Sequence, residues 1–287
     1  MSIYETVTAR ILSQLDAGVV PWRKTWTTGL PKSLTTGKEY RGANILILGM
    51  ASFSSRYWVT YREAQRLGGH VRRGERASPV VFWKWRTPQE LARLREKSGR
   101  EDLAPCVPFT AAVFNLDQVE GVSRPEDDVP SRRNDRFEIA DKMLDVMPDQ
   151  PEIVHAATRE PSYSPRFDRV TLPHLSQFES AAEYYATLFH ELVHATGAEK
   201  RLNRFGQVEG DRVERYSFEE LVAEFGAAFL GAFAGIESPG TEALQASYIQ
   251  GWAAALRKDQ RLVVRAASAA QRATDYIRGK VILDRPE

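Results

Sequence analysis

The sequence predicts an α+β protein in two parts, an N-terminal α+β half followed by a mostly helical half with a small sheet. Three observations carry this expectation. Before residue 125, short runs rich in Val, Trp, Tyr and Phe alternate with helical segments. After residue 135, most segments keep apolar residues at helical spacing, and only two strand-like runs interrupt them. Between the two lies Gly121-Val-Ser-Arg-Pro-Glu-Asp-Asp-Val-Pro-Ser-Arg-Arg-Asn-Asp135, a charged, Pro-containing stretch too poor in apolar residues to bury itself. The expected domains are therefore 1–125 and 136–287, joined by a linker at 126–135.

Composition narrows the class. At 287 residues, 43% of them hydrophobic, the chain has material for two ordinary cores. No apolar run approaches the roughly 20 residues that span a bilayer, and Met1-Ser-Ile-Tyr-Glu5 lacks a basic flank followed by an apolar stretch. No membrane partner is expected. The single cysteine, Cys106, cannot form an internal disulfide and fits a reducing, cytoplasmic compartment. Charge is divided unevenly. Residues 1–125 hold 19 Lys+Arg against 11 Asp+Glu, a net of +8, whereas the remainder nets −7. Such asymmetry points to a polyanionic partner for the first half.

The first half opens with an amphipathic helix, Ile3, Val7, Ile11 and Leu15 forming one stripe that ends near Gly18. Pro21-Trp22-Arg23-Lys24-Thr25-Trp26 then interleaves two large aromatics with two cations. Single-strand binding uses that grammar, bases stacking on rings while cations follow phosphates, but a buried aromatic pair beside a solvated basic loop reads the same way. Arg41 and Asn44 sit in a turn that opens the apolar segment Ile45–Met50. Tyr57–Thr60 predicts a strand and Tyr61–Leu67 a helix stopped by Gly68-Gly69. Arg72 and Arg73 form a basic turn before the strand Pro79–Trp85, where Val81, Trp83 and Trp85 share one face and Lys84 lies on the other. Those tryptophans suit a core or a stacking platform. A charged helix over Gln89–Arg100 and a strand over Phe109–Leu116 complete the half. It contains no zinc-finger cysteines and no phosphate-binding loop, so backbone tracking with base stacking, largely independent of sequence, is the expected mode on single-stranded DNA.

The second half begins with a helix over Asp135–Met147. Two strands follow, Ile153–Ala156 and Tyr163–Pro173, the latter bracketed by prolines as an edge strand would be. Its centre is Thr187-Leu-Phe-His190-Glu191-Leu-Val-His194-Ala-Thr-Gly197, on a helix predicted over Glu179–Ala195. The i, i+4 spacing stacks His190 and His194 on one face within reach of one metal ion, and places Glu191 to take a proton from water activated there. The helix Ser217–Leu230 offers the third ligand. Glu220 and Glu224 share a face, Glu220 as ligand and Glu224 as support for a ligating histidine, while Glu219, about 100° away, is expected in solvent. Two histidines and one carboxylate with a fourth position open make a catalytic rather than structural site. Zn2+ is the expected ion, with Mn2+ or another divalent cation as the alternative. Peptide-bond hydrolysis is the expected reaction, with Tyr163, Tyr216 or Tyr248 as oxyanion or substrate contact. His155 and His174 are spare ligand candidates. Helices over Tyr248–Leu256 and Leu262–Tyr276 would pack beneath.

These motifs together carry a resemblance. Tyr4-Glu5-Thr6, Pro21-Trp22, Asn44, Gly68-Gly69-x-Val71-x-x-Gly74-Glu75 and Val113-Phe-Asn-Leu-Asp-Gln-Val-Glu-Gly121 resemble the N-terminal single-stranded-DNA-binding domain of ArdC-type antirestriction proteins, which also occurs in plasmid TraC primases. Tyr163-Ser-Pro-x-x-Asp168, the His190–His194 motif, Glu220-Leu-Val-Ala-Glu224 and Tyr248-Ile-Gln-x-Trp252 resemble the zincin-like metallopeptidase domain of that family. The resemblance covers nearly the whole chain. It implies a plasmid-encoded protein that accompanies conjugating DNA and protects it from host restriction, with a host restriction-modification protein as candidate substrate. It also implies His190, His194 and Glu220 as metal ligands and Glu191 as general base. At 224 many gluzincins place aspartate. The alternative reading is a non-proteolytic protein that masks DNA or binds restriction enzymes and retains a vestigial peptidase fold.

Overall fold

The computed structural model describes residues 3–23, 29–51, 53–125, 133–158, 160–207, 211–236 and 246–280. Helix α1, Ile3–Asp16, opens the chain and buries Val7, Ile11 and Leu15, the stripe its periodicity predicts. A 3-10 turn at Pro21–Arg23 follows. Strand β1 (Lys32–Ser33) and helix α2 (Ala43–Gly49) lead to strand β2 (Tyr57–Thr60). Helix α3 (Tyr61–Arg66) starts at a capping box in which Thr60 and Glu63 satisfy each other's backbone N–H. Strands β3 (His70–Val71) and β4 (Ser78–Trp85), helix α4 (Pro88–Ser98), and strands β5 (Cys106–Asn115) and β6 (Val119–Glu120) complete this half. The larger sheet runs β1-β2-β5-β4, antiparallel except for the parallel β1/β2 pair, and β3 pairs with β6.

Helix α5 (Arg133–Asp145) begins inside the stretch expected as linker, of which 126–132 lie outside the described residues. Strands β7 (Glu152–Ala156), β8 (Ser162–Ser164) and β9 (Arg169–Pro173) form a sheet of order β7-β9-β8. The single strand expected over Tyr163–Pro173 is thus a hairpin, with β9 central and β8 at the edge. Pro165 cannot continue a ladder, and Asp168 adopts the left-handed region at φ 48°, which a short polar side chain tolerates. Helices α6 (Ala181–Thr196), α7 (Arg212–Ala234), α8 (Ala246–Lys258) and α9 (Leu262–Ile277) follow. Helices α6, α7 and α9 pack on one another, and one apolar core runs from α1, the 3-10 turn and α2 into these helices. Polar ties cross the same seam. Thr8 Oγ1 donates to the Gln260 carbonyl at 2.8 Å, and the Gly42 N–H donates to Gln271 Oε1 at 3.0 Å.

Asp168 locks the hairpin to the segment that follows α6. It accepts from Arg201 Nη1 at 2.7 Å and from the Tyr163 hydroxyl at 2.8 Å, and pairs with Lys200 Nζ at 2.7 Å. The bond from Arg201, above all, holds the Asp168 carboxyl well below the usual carboxylate range. A folded pKa below the unfolded value stabilises above the unfolded pKa, and that stability is lost as acid protonates the group. Asp168→Asn leaves the buried Arg201 guanidinium without its counter-charge and is expected to cost about 3 kcal/mol at neutral pH. Urea midpoints should show this difference at pH 7 and show it shrinking as the pH falls below about 4.

Candidate metal centre

The centre is built where α6 crosses α7. Ser180 caps α6 by accepting from the Glu183 N–H, and Asp211 caps α7 in a box with Glu214. The helices approach closely because Gly226 faces Val193. A Cβ at 226 would lie 2.6 Å from a Val193 methyl, well inside contact distance. That approach sets Glu220 and Glu224 opposite His190 and His194.

His190 Nε2 and His194 Nε2 lie 3.1 Å apart, with Glu220 Oε2 3.7 Å from the first and Glu220 Oε1 3.7 Å from the second. The three donor atoms fall within 4.8 Å of one another, and among the described residues this is the one such His/Cys/Asp/Glu group. Tetrahedral ligands about 2.0 Å from zinc stand roughly 3.3 Å apart, so the spacing suits a divalent cation. The opposite ring nitrogens support this fit. His194 Nδ1 is 3.1 Å from Glu219 Oε1, and His190 Nδ1 is 3.6 Å from Glu224 Oε1. Each carboxylate favours a proton on the Nδ1 facing it, which aims both Nε2 lone pairs at one point.

Glu219 therefore corrects the sequence expectation of a solvated residue. Arg204 grips it with Nη2 at 2.6 Å and Nε at 2.7 Å, and burial, which alone would raise its pKa, is outweighed by Arg204 and His194, so it stays ionised. Glu224 is buried and bound from the first half of the chain. Trp22 Nε1 donates to its Oε2 at 3.1 Å, while Arg23 donates from Nη2 to Oε1 at 2.9 Å and from Nε to Oε2 at 3.1 Å. Arg23 reverses the upward push of burial on Glu224.

Glu191 is buried, and burial raises its carboxyl pKa. It accepts a hydrogen bond from the Tyr163 backbone N–H on the edge strand β8. The tyrosines divide. The Tyr163 hydroxyl is committed to Asp168, the exposed Tyr216 bonds Glu220, and Tyr248 lies on α8 with its side chain outside the described residues. His155 is 3.2 Å from the Tyr184 hydroxyl and His174 is exposed, so neither joins the metal group.

The nucleic-acid candidates divide as well. Trp22 is fully buried between Phe225 and Trp252, which corrects its reading as a stacking residue. Asn44 is buried, its amide bridging the N–H and carbonyl of Val81 at 2.7 Å each, so it is a structural clamp. Arg23 and Arg41 pair internally with Glu224 and Asp275. Lys24 and Trp26 lie outside the described residues. Arg72, Arg73 and Lys84 are exposed, Arg72 beside Glu75. Trp83 joins the core together with Tyr4, whereas Phe82 stacks on the exposed Phe109 of β5 at 5.5 Å, a pair on the Lys84 face that strand alternation alone does not single out.

Comparison with known proteins places this arrangement. The family described as a zincin-like metallopeptidase matches residues 141–269, and the N-terminal domain of anti-restriction factor ArdC matches residues 1–114. The crystal structure of the antirestriction protein ArdC from plasmid R388, in its metal-free form, superposes with a TM-score of 0.76 at 34% identity, over 96% of this chain and 97% of that one. The chain belongs to the ArdC family. The Mn(II)-bound structure of the R388 protein matches equally well. A Sinorhizobium fredii protein, y4eC, is 34% identical over 96% of this chain and 91% of its own length. Two Escherichia coli DNA primases TraC are 35% and 33% identical over 96% of this chain, which spans only 20% and 27% of their lengths. No helix among the described residues is long and apolar enough to cross a membrane.

Proposed function

We propose that this ArdC-family chain is an antirestriction protein that binds single-stranded DNA and hydrolyses peptide bonds at the His190–His194–Glu220 centre, protecting incoming plasmid DNA in the cytoplasm during conjugation. The observation that carries the reading is the convergence of those three donors within 4.8 Å, with the buried Glu191 beside them. Zn2+ held there would supply the positive charge that acidifies water and polarises a carbonyl. The residues of the chain do the rest. Glu191 takes the proton of the attacking water and delivers it to the leaving amine. Glu219 and Glu224 fix the imidazoles. Tyr216, exposed next to Glu220, is placed to donate to the carbonyl oxygen as it gains charge. The substrate strand lies along β8, whose Tyr163 N–H already points to Glu191 rather than to β9. A host restriction-modification protein is the proposed substrate, and the two family matches at 1–114 and 141–269 support a division into DNA-binding and peptidase halves near 125–135.

Single-stranded DNA binding is supported by the basic excess of the first half, the kinship with DNA primases, and the exposed Phe109 ring stacked on Phe82, together with the exposed Lys84 and Arg73. Glu191→Gln keeps the shape of the site and removes its base. In conjugation into restricting and non-restricting hosts, this variant is expected to lose protection while still binding metal and oligonucleotide. Protection equal to wild type would leave the non-proteolytic, DNA-masking reading in its place.

A further inference from the structure

A cleft of about 510 Å³ lies outside the metal group, lined by Tyr4, Trp83, Phe218, Arg204 and residues of α9. Its chemistry is concentrated on a single stripe. Arg261, just before α9, and Arg265 and Arg272 within it are separated by four and seven residues, so they share one helix face with Ser268 between them. The rise from Arg261 to Arg265 is about 6 Å, and that from Arg265 to Arg272 about 10 Å. All three are exposed, while the opposite face of α9 is buried. Among the described residues Arg261 and Arg272 face no carboxylate within ion-pairing distance, and Arg265 has only a 3.4 Å contact with the half-buried Asp259.

A charged helix face is usually just solvated, but this one lines a cleft. Tyr4 and Trp83 pack against each other in its wall, ring centroids 6.4 Å apart, and the Arg261 guanidinium lies 5.6 Å from the Tyr4 ring. Arg265 lies 5.5 Å from the Phe218 ring on the cleft floor. Guanidinium planes and aromatic faces are both surfaces on which bases stack, and each free guanidinium also takes a phosphate bidentately.

We propose that this cleft seats a segment of single-stranded DNA, its phosphates on Arg261, Arg265 and Arg272 and its bases against Tyr4 and Trp83. An acidic peptide would use the cations but leave the ring faces without a role. The inference rests on the DNA-binding reading above and extends it. The strand is gripped between the two halves of the chain, by arginines of the acidic half, and not solely by the basic half.

The test measures binding of the full-length protein to fluorescein-labelled oligo(dT) by anisotropy across a salt series. Arg261→Gln/Arg265→Gln/Arg272→Gln is expected to weaken binding at least tenfold and to reduce the slope of log affinity against log salt by about 2, since each phosphate contact on a single strand contributes about 0.7. Tyr4→Leu/Trp83→Leu, which keeps apolar side chains at both positions and removes the ring faces, should weaken binding about tenfold with the slope unchanged. Arg93→Gln/Lys97→Gln on exposed α4 should change affinity less than threefold. Wild-type affinity and slope in the arginine triple would overturn the cleft while leaving DNA binding intact, and so would an equal loss in the α4 variant. Competition by poly-glutamate as strong as by unlabelled oligo(dT) would overturn the assignment to DNA. No binding by wild type at all would overturn the underlying reading instead. Unchanged thermal midpoints of the variants separate lost contacts from lost folding.

Discussion

His194→Ala is expected to lower affinity for a divalent cation by more than about 100-fold, the upper end of what removing even an outer-shell partner costs. His194 is the hub of the centre. Its Nε2 faces both His190 and Glu220, and its Nδ1 faces Glu219, which Arg204 holds in turn. Truncation removes one of three donors and leaves Glu219 paired with Arg204 alone. Isothermal titration with Zn2+ and with Mn2+ measures the loss, and Glu219→Gln serves as the graded comparison, expected at about 10- to 100-fold. Unaltered titration of His194→Ala with both ions would remove the metal assignment and with it the peptidase.

Trp22→Ala is expected to cost about 3 to 5 kcal/mol, a large part of the roughly 5 to 15 kcal/mol by which folded domains are stable. The indole is fully buried, edge-on to Phe225 at 4.9 Å and to Trp252 at 5.2 Å, so truncation opens a cavity in the shared core. It also takes one hydrogen-bond donor from the buried Glu224. Trp22→Phe keeps most of the volume and removes only the N–H, at about 1 to 3 kcal/mol. Urea unfolding distinguishes the two. A Trp22→Ala protein with the wild-type midpoint and lost oligonucleotide binding would restore the indole to the DNA-contacting surface.

What could be read from the residues divides by range. His190, Glu191 and His194 are legible because helical spacing alone puts them together, and the i, i+4 pair Glu220 and Glu224 is legible on the same ground. The role of Glu219 is not legible from spacing because a helical wheel measures angle from one face, whereas an imidazole presents two nitrogens on opposite edges and can engage adjacent positions of the facing helix. The adjacent Glu219-Glu220 pair was the available signal. The hairpin at 162–173 was signalled by Pro165 and Asp168, which favour a turn over a continuous strand. Trp22 and Arg23 could not be placed, since a tryptophan and an arginine side by side serve a phosphate or a buried glutamate equally well. Their partner lies about 200 positions away in the sequence.

The seam between α1 and the last two helices bears on how this protein is made. Among these elements α1 is synthesised first, yet its partners α8 and α9 come last, with Thr8 and Gln260 separated by 252 positions. On the ribosome the Val7–Ile11–Leu15 stripe must wait for α8 and α9 until more than 240 further residues have been added, a setting in which nascent chains recruit chaperones or stick to one another. The closing step is long-range and entropically slow, so this fold is completed only once α8 and α9 have emerged rather than half by half.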